Sequence, residues 1–304
     1  MSLDNYPPGA IVSGHEVPRP PLPRRRRRRR KPITAWRIGL YVFVTVMALG
    51  WLFPVAWAVY NSFRDYAFTA ANGYVSFGGF TLQNYADAWE QGSFARSFLN
   101  SVIITVPSVI LVLFLSSMAA FVLARFSFKF NLAMLIFFTA ANLLPQQALL
   151  IPLFRAYVRL DLYNTYYAVI LTHVAFQIGF CTFVLSNYMK ALPTELTEAA
   201  FVDGAGVWRQ YWQVILPLCR PPLAALATLE VTFIYNDFFW AVAFGSRGDN
   251  FPVTSALSKL QGQFFTDYNL LSAGSVIVAI PTLVIFFALQ RQFVAGLTLG
   301  ANKG

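Results

Sequence analysis

Apolar residues in this chain gather in long runs with polar residues between them, so neither the alternation of a half-buried strand nor a single amphipathic stripe dominates. Six runs, 38–60, 102–124, 133–153, 168–188, 223–244 and 272–293, each reach the roughly 20 residues that a helix needs to cross a hydrocarbon core about 30 Å thick. The pattern predicts an all-α polytopic membrane protein with six transmembrane helices. Within the polar segment 61–97, the string "FTLQNYADAW" places Leu82, Tyr85, Ala86 and Trp89 on one helical face. A short helix lying on the outer leaflet, or on the protein itself, fits that spacing.

A second polar segment, 190–220, joins the fourth and fifth runs. Pro193 and Thr194 suit a helix start, and Glu195 and Glu198 fall in its first turns, where acids favour the positive end of the helix dipole. Leu196, Ala199 and Ala200 give this helix a small apolar face. Asp203 and Gly204 signal a turn, after which "VWRQYWQVILP" supplies a second helical stretch ending at Pro217. A helix–turn–helix of this kind can press into another protein's groove, or pack as a connector on the bundle's own end.

Composition agrees with the pattern: 57% of residues are apolar and 12% charged, outside the range of soluble domains. Charge then orients the chain. With the N-terminus inside, seventeen of the 23 Lys and Arg residues fall on the inner side, which predicts both termini and the 190–220 loop on the cytoplasmic face of the membrane. The tail 1–37, with "PRPPLPRRRRRRRKP", cannot bury enough apolar surface to fold and is expected to be disordered against anionic lipid, ahead of a six-helix transmembrane domain at 38–304. No folded reader of bases accompanies it, so no nucleic-acid partner is expected. Cys181 and Cys219 read as buried small side chains, and with His15 and His173 the only histidines no metal site is expected. Neither GxxxxGK[ST] nor GxSxG occurs, so the chain is expected neither to hydrolyse ATP nor to be an enzyme.

Several polar groups fall inside the runs. Asn142 and Gln146 share a face of the third and His173 and Gln177 a face of the fourth. In the fifth, Glu230 and Asp237 are seven residues apart, on nearly the same helical face, beside Tyr235, Asn236 and Trp240. A charge at mid-membrane costs about 2.5–3.5 kcal/mol on insertion scales, and no Lys or Arg lies deep in any run to offset it. These groups either line a wet pathway for a polar solute or hold the bundle together by hydrogen bonds between helices. Pro54, Pro107, Pro145 and Pro281 are candidate kinks or hinges.

The order of residues in "EAAFVDGAGVWRQYWQVILP" closely resembles the EAA loop of ABC importer permeases, with Val214 in place of the family's usual Ile. The strings "FTLQNYADAW", "LLPQQALLIPLF", "NTYYAVIL", "YNDFFWAV" and "QFVAGLTLGANKG" look like its carbohydrate branch, the maltose-type permeases, over residues 61–304. The resemblance implies a permease subunit that pairs with a second permease subunit, two ATPase subunits and an extracytoplasmic solute-binding protein to import a sugar or oligosaccharide. It implies no cofactor in this chain, ATP and Mg being bound by the ATPase subunits. It assigns Glu198, Ala199, Ala200, Asp203 and Gly204 to coupling with the ATPase, with Leu216 and Pro217 closing the second helix where the fifth span begins. The alternative is a proton-coupled carrier in which Glu230 and Asp237 relay protons.

Overall fold

The computed structural model describes residues 11–12, 15–16, 35–141, 145–245, 251–262 and 266–298. Most of the 1–37 tail therefore lies outside the described residues; within it Ile11–Val12 and His15–Glu16 pair as a two-residue antiparallel ladder. Contacts divide the chain after Phe53, inside the first helix, and residues from 54 onward form the helical unit described below. In chain order the longer helices are α1 (Ala35–Ser62), α2 (Tyr66–Asn72), α3 (Gln83–Gln91), α4 (Phe94–Arg125), α5 (Asn131–Ala141), α6 (Leu150–Arg159) and α7 (Tyr166–Ala191). They are followed by α8 (Glu195–Val202), α9 (Val207–Arg209), α10 (Leu216–Leu218), α11 (Arg220–Tyr235), α12 (Phe239–Phe244), α13 (Val253–Ala256) and α14 (Tyr268–Thr298).

Four of the six expected spans are single helices long and apolar enough to cross a membrane: Trp36–Ser62, Phe94–Arg125, Tyr166–Ala191 and Tyr268–Ala288. Pro54, Pro107 and Pro281 sit inside α1, α4 and α14 without ending them. The third and fifth spans depart from expectation. Instead of one helix over 133–153, α5 is described as far as Ala141, Pro145 has extended backbone, a 3₁₀ turn follows at Gln146–Leu149, and α6 carries the chain on to Arg159. Proline has no N–H to give to a helix, so Pro145 does not continue one.

The fifth span starts at Arg220, with Pro221 and Pro222 in its first turn where the missing N–H is harmless, and stops at Tyr235, short of the expected Phe244. Its continuation is the six-residue α12. Asp237 makes the break: its Oδ2 accepts from the backbone N–H groups of Trp240 (3.0 Å) and Ala241 (3.1 Å), and so caps a new helix.

The main core lies between α4 and α7, which pack most extensively, and takes in α11 and α12. Small and hydroxylated residues on α4, among them Ser108, Ser116, Ser117 and Ala120, are buried and let the helices approach closely. Ser116 donates across to the carbonyl of Ile178 (3.1 Å). A second cluster joins α3, α13 and α14 to the start of α4 through Ala88, Phe94, Val253, Ala256, Ala273 and Ile277. Helix α3 is thus packed on protein, and its inward residues are Asn84 and Ala88, with Leu82 and Trp89 exposed.

At this end of the bundle Arg64, one of the six cations counted outside the inner segments, is fully buried. Its guanidinium donates to Asn61 Oδ1 (3.1 Å), to Ser76 Oγ (2.5 Å) and to the carbonyls of Tyr74 (2.8 Å) and Gly78 (3.2 Å). The five-donor fork satisfies a loop that has no ladder of its own, so one side chain organises residues 73–78.

Candidate functional site

At the other end of α4 the chain makes an elbow. Helix α8 begins at Glu195, with Glu195 and Glu198 in its first turn. It closes in a Schellman turn: Ala205 N–H reaches the carbonyl of Ala200 (2.9 Å) and Gly204 N–H that of Phe201 (3.0 Å). Gly204 has φ +77°, the left-handed conformation this turn requires, and there is open space where a Cβ would stand. Gln210 Nε2 donates back to the Ala205 carbonyl (2.8 Å) and sets the angle of the second limb.

The second limb runs from Val207 to Leu218 and includes a wide π turn over Gln210–Ile215. It meets α11 at 74°, so it is a separate limb, not the start of the fifth span. Leu216 and Pro217 are half-buried in its last turn, which ends at Leu218, one residue beyond the expected stop.

Glu198, Ala199, Asp203 and Gly204 are exposed and Ala200 half-buried; no residue of α8 is buried. Phe201 and Val202, at the tip of the elbow, are 74% and 84% exposed, and Trp208 is 58% exposed. The small alanines that stand out in the sequence are thus flanked by larger and more exposed apolar side chains. The signal was present: adjacent apolar residues between an acidic turn and Asp203-Gly204, in a segment too polar to cross a membrane. Large exposed apolar side chains side by side mark a surface that a protein or a membrane covers.

The intramembrane polar groups sort into two sets. The first is buried, with Asp237 half-buried at its edge. Asp237 caps α12 and lies 3.7 Å from His173 Nε2. Glu230 is fully buried; its Oε1 accepts from Cys181 Sγ (3.2 Å), and its Oε2 has no partner among the described residues. Trp240 is stacked between Phe176 and Phe244, at centroid distances of 5.4 Å and 5.3 Å, and Tyr235 is buried below it in sequence. Because α11 ends between them, Glu230 and Asp237 do not share a helical face, which corrects the seven-residue argument.

The second set is open. Asn236 is exposed at the end of α11 and accepts from Thr282 of α14 (3.1 Å). Gln177 lines a cavity of about 180 Å³ with Thr139, Phe180, Phe183 and Phe233. Gln146 is exposed beside Pro145, and Asn142 lies outside the described residues. His173 and Gln177, one helical turn apart, therefore belong to different surroundings. Cys181 and Cys219 are free and buried, as their apolar setting led one to expect.

Residues 88–298 match the family described as the binding-protein-dependent transport system inner membrane component. The chain belongs to this family. It is a multi-pass membrane permease, a component that transports and does not itself catalyse a reaction. The permease is 32% identical to the diacetylchitobiose uptake system permease protein of Streptomyces coelicolor, over 82% of its own length and 83% of the relative's. It is 33% identical to the arabinooligosaccharides transport system permease protein of Halalkalibacterium halodurans, over 90% and 98%. Its fold is similar to that of a chain in a bacterial ABC transporter involved in import of the acidic polysaccharide alginate, with a TM-score of 0.72, 20% identity and coverage of 85% and 96%. A carrier driven by protons alone is not favoured by this membership.

Proposed function

We propose that this permease imports a sugar or oligosaccharide across the inner membrane as one half of a translocation path, the other half being a second permease subunit. Two ATPase subunits bind ATP and Mg, and an extracytoplasmic binding protein delivers the solute. The termini and the elbow lie on the cytoplasmic side. The carbohydrate assignment draws on what the relatives are named for, which includes a chitin disaccharide and arabinose oligomers.

The observation that carries the reading is the exposed tip of the elbow. Covering Phe201 and Val202 would contribute about 3–6 kcal/mol before the costs of association, enough for a grip that follows the ATPase as it closes. Ala199 allows close approach, Gly204 holds the bend, and Glu198 offers a charge to a cation of the ATPase subunit. Along the path, the open set of Gln177 and Asn236 with the ring of Phe233 suits sugar hydroxyls and apolar ring faces. The buried set holds the broken fifth span in place.

The test is uptake by the whole complex in proteoliposomes. Phe201→Asp and Glu198→Lys are expected to leave the permease in the membrane and to abolish or strongly reduce ATP-dependent uptake. Wild-type uptake by both variants would end the coupling reading.

A further inference from the structure

We propose that motion of the elbow enters the bundle through α4, by two side-chain attachments centred on Arg125 and Tyr211. This rests on the coupling reading above and adds the route by which force leaves the elbow.

Each limb of the elbow is fastened to the same stripe of α4. The first limb hangs from α7 through residues 192–194, and the carbonyl of Leu192 accepts from Arg125 Nη1 at 3.2 Å. Arg125 is the last residue of α4. On the second limb, Tyr211 is 2% exposed, and its hydroxyl lies 2.7 Å from Ser117 Oγ. Ser117 already donates to the carbonyl of Phe114 (2.8 Å), so the phenol donates and Ser117 accepts. The Tyr211 ring lies against Phe121 (5.5 Å), and Trp212 next to it meets Phe114 (6.2 Å). Phe114, Ser117, Phe121 and Arg125 follow one another at spacings of three and four, which is one face of one helix.

The π turn at Gln210–Ile215 adds a residue to this limb. It turns Tyr211 into the bundle while Trp208 and Trp212 stay exposed.

Helix α4 has the reach to use such a connection. Its 32 residues span about 48 Å. At its far end Asn100 donates to the carbonyl of Phe251 (2.9 Å), and Ser101 accepts from the N–H of Val253 (2.8 Å). A push on Arg125 and Ser117 is thus delivered to the segment leading into α13, on the opposite side of the bundle. Arg125 also keeps a reserve: its Nε and Nη2 are buried with no partner among the described residues, so the guanidinium can take a second acceptor when Leu192 moves.

These are positioning residues, and the readout is sugar imported per ATP hydrolysed by the reconstituted complex with its binding protein. Tyr211→Phe keeps the ring and loses one hydrogen bond; Ser117→Ala removes the same bond from the other side. Each is expected to lower the ratio about fivefold, and the double variant no further. Arg125→Ala is expected to lower it as well, and Arg125→Lys to restore part of the loss. Should Arg125→Ala fail to assemble, Tyr211→Phe and Ser117→Ala decide alone. A merely structural role would lower uptake and ATP turnover together and leave the ratio at the wild-type value, which would overturn the proposal. Phe201→Asp serves as the reference: if it abolishes uptake while the α4 variants keep the wild-type ratio, the route fails and the coupling reading stands. If Phe201→Asp imports normally, the coupling reading itself fails.

Discussion

Asp237 shows how a single carboxylate decides local structure. In the sequence it reads as a mid-membrane charge on the face of Glu230, available to a solute or a proton. In the fold it ends the helix that would have placed it there, because its Oδ2 offers two N–H groups of the next turn a better partner than continued helix would. The cap predicts how substitutions sort. Asn keeps an acceptor at the same position, so Asp237→Asn is expected to retain uptake close to wild type. Asp237→Ala loses the cap, about 1 kcal/mol, and is expected to lower the melting temperature of the purified complex. If Asp237→Asn assembled normally and yet imported nothing, the charge itself, facing His173 at 3.7 Å, would be in use and the capping account would be wrong. Arg64 carries a related lesson. Cation counting places it correctly in a segment between spans, but its burial follows from carbonyls nine to fourteen residues away, and no local pattern encodes those.

At the scale of elements, the first, second, fourth and sixth spans were legible because each is one unbroken apolar run longer than a membrane needs. The third and fifth differ in extent because run length does not register a single residue at which the helix is interrupted, the extended Pro145 in one and Asp237 in the other. The elbow was legible in outline through its acids, its Gly and its prolines. Its π turn was not, since nothing in the residue order of Gln210–Ile215 marks the extra residue. Gly204 offers the sharpest test of the elbow's geometry. With φ +77° and nothing near its missing Cβ, the penalty for a side chain is conformational alone, about 1–2 kcal/mol for Ala. Asn tolerates that region better. Pro fits neither the angle nor the bond that Gly204 N–H makes to Phe201. Uptake is expected to fall in the order Asn, Ala, Pro, with hydrogen exchange in α8 rising in parallel. A Gly204→Pro complex importing at the wild-type rate would show that the turn does not have to hold its shape.

For the whole molecule the question is where the energy comes in. The two ends of α4 differ in kind: one carries a loop locked by a buried arginine, the other an elbow with a bare apolar tip. Exposed side chains of α14, among them Ile280, Leu283, Val284 and Phe287, leave an apolar flank that lipid or the second permease covers. The net charge of +10 owes most to the tail and does not bear on the solute. If the elbow end takes the drive, ATP must be supplied on that side and the binding protein on the other. Both native cysteines are buried, so a membrane-impermeant maleimide reports only on introduced ones. In sealed vesicles, Phe201→Cys is expected to label from the side where ATP supports uptake, and Phe77→Cys, in the loop beside Arg64, from the opposite side. Under the same conditions a protonophore is expected to leave uptake unchanged at constant ATP. Collapse of uptake with the proton gradient would return Glu230 to the role of proton relay, and labelling of both cysteines from one face would break the assignment of α4 as a spanning rod.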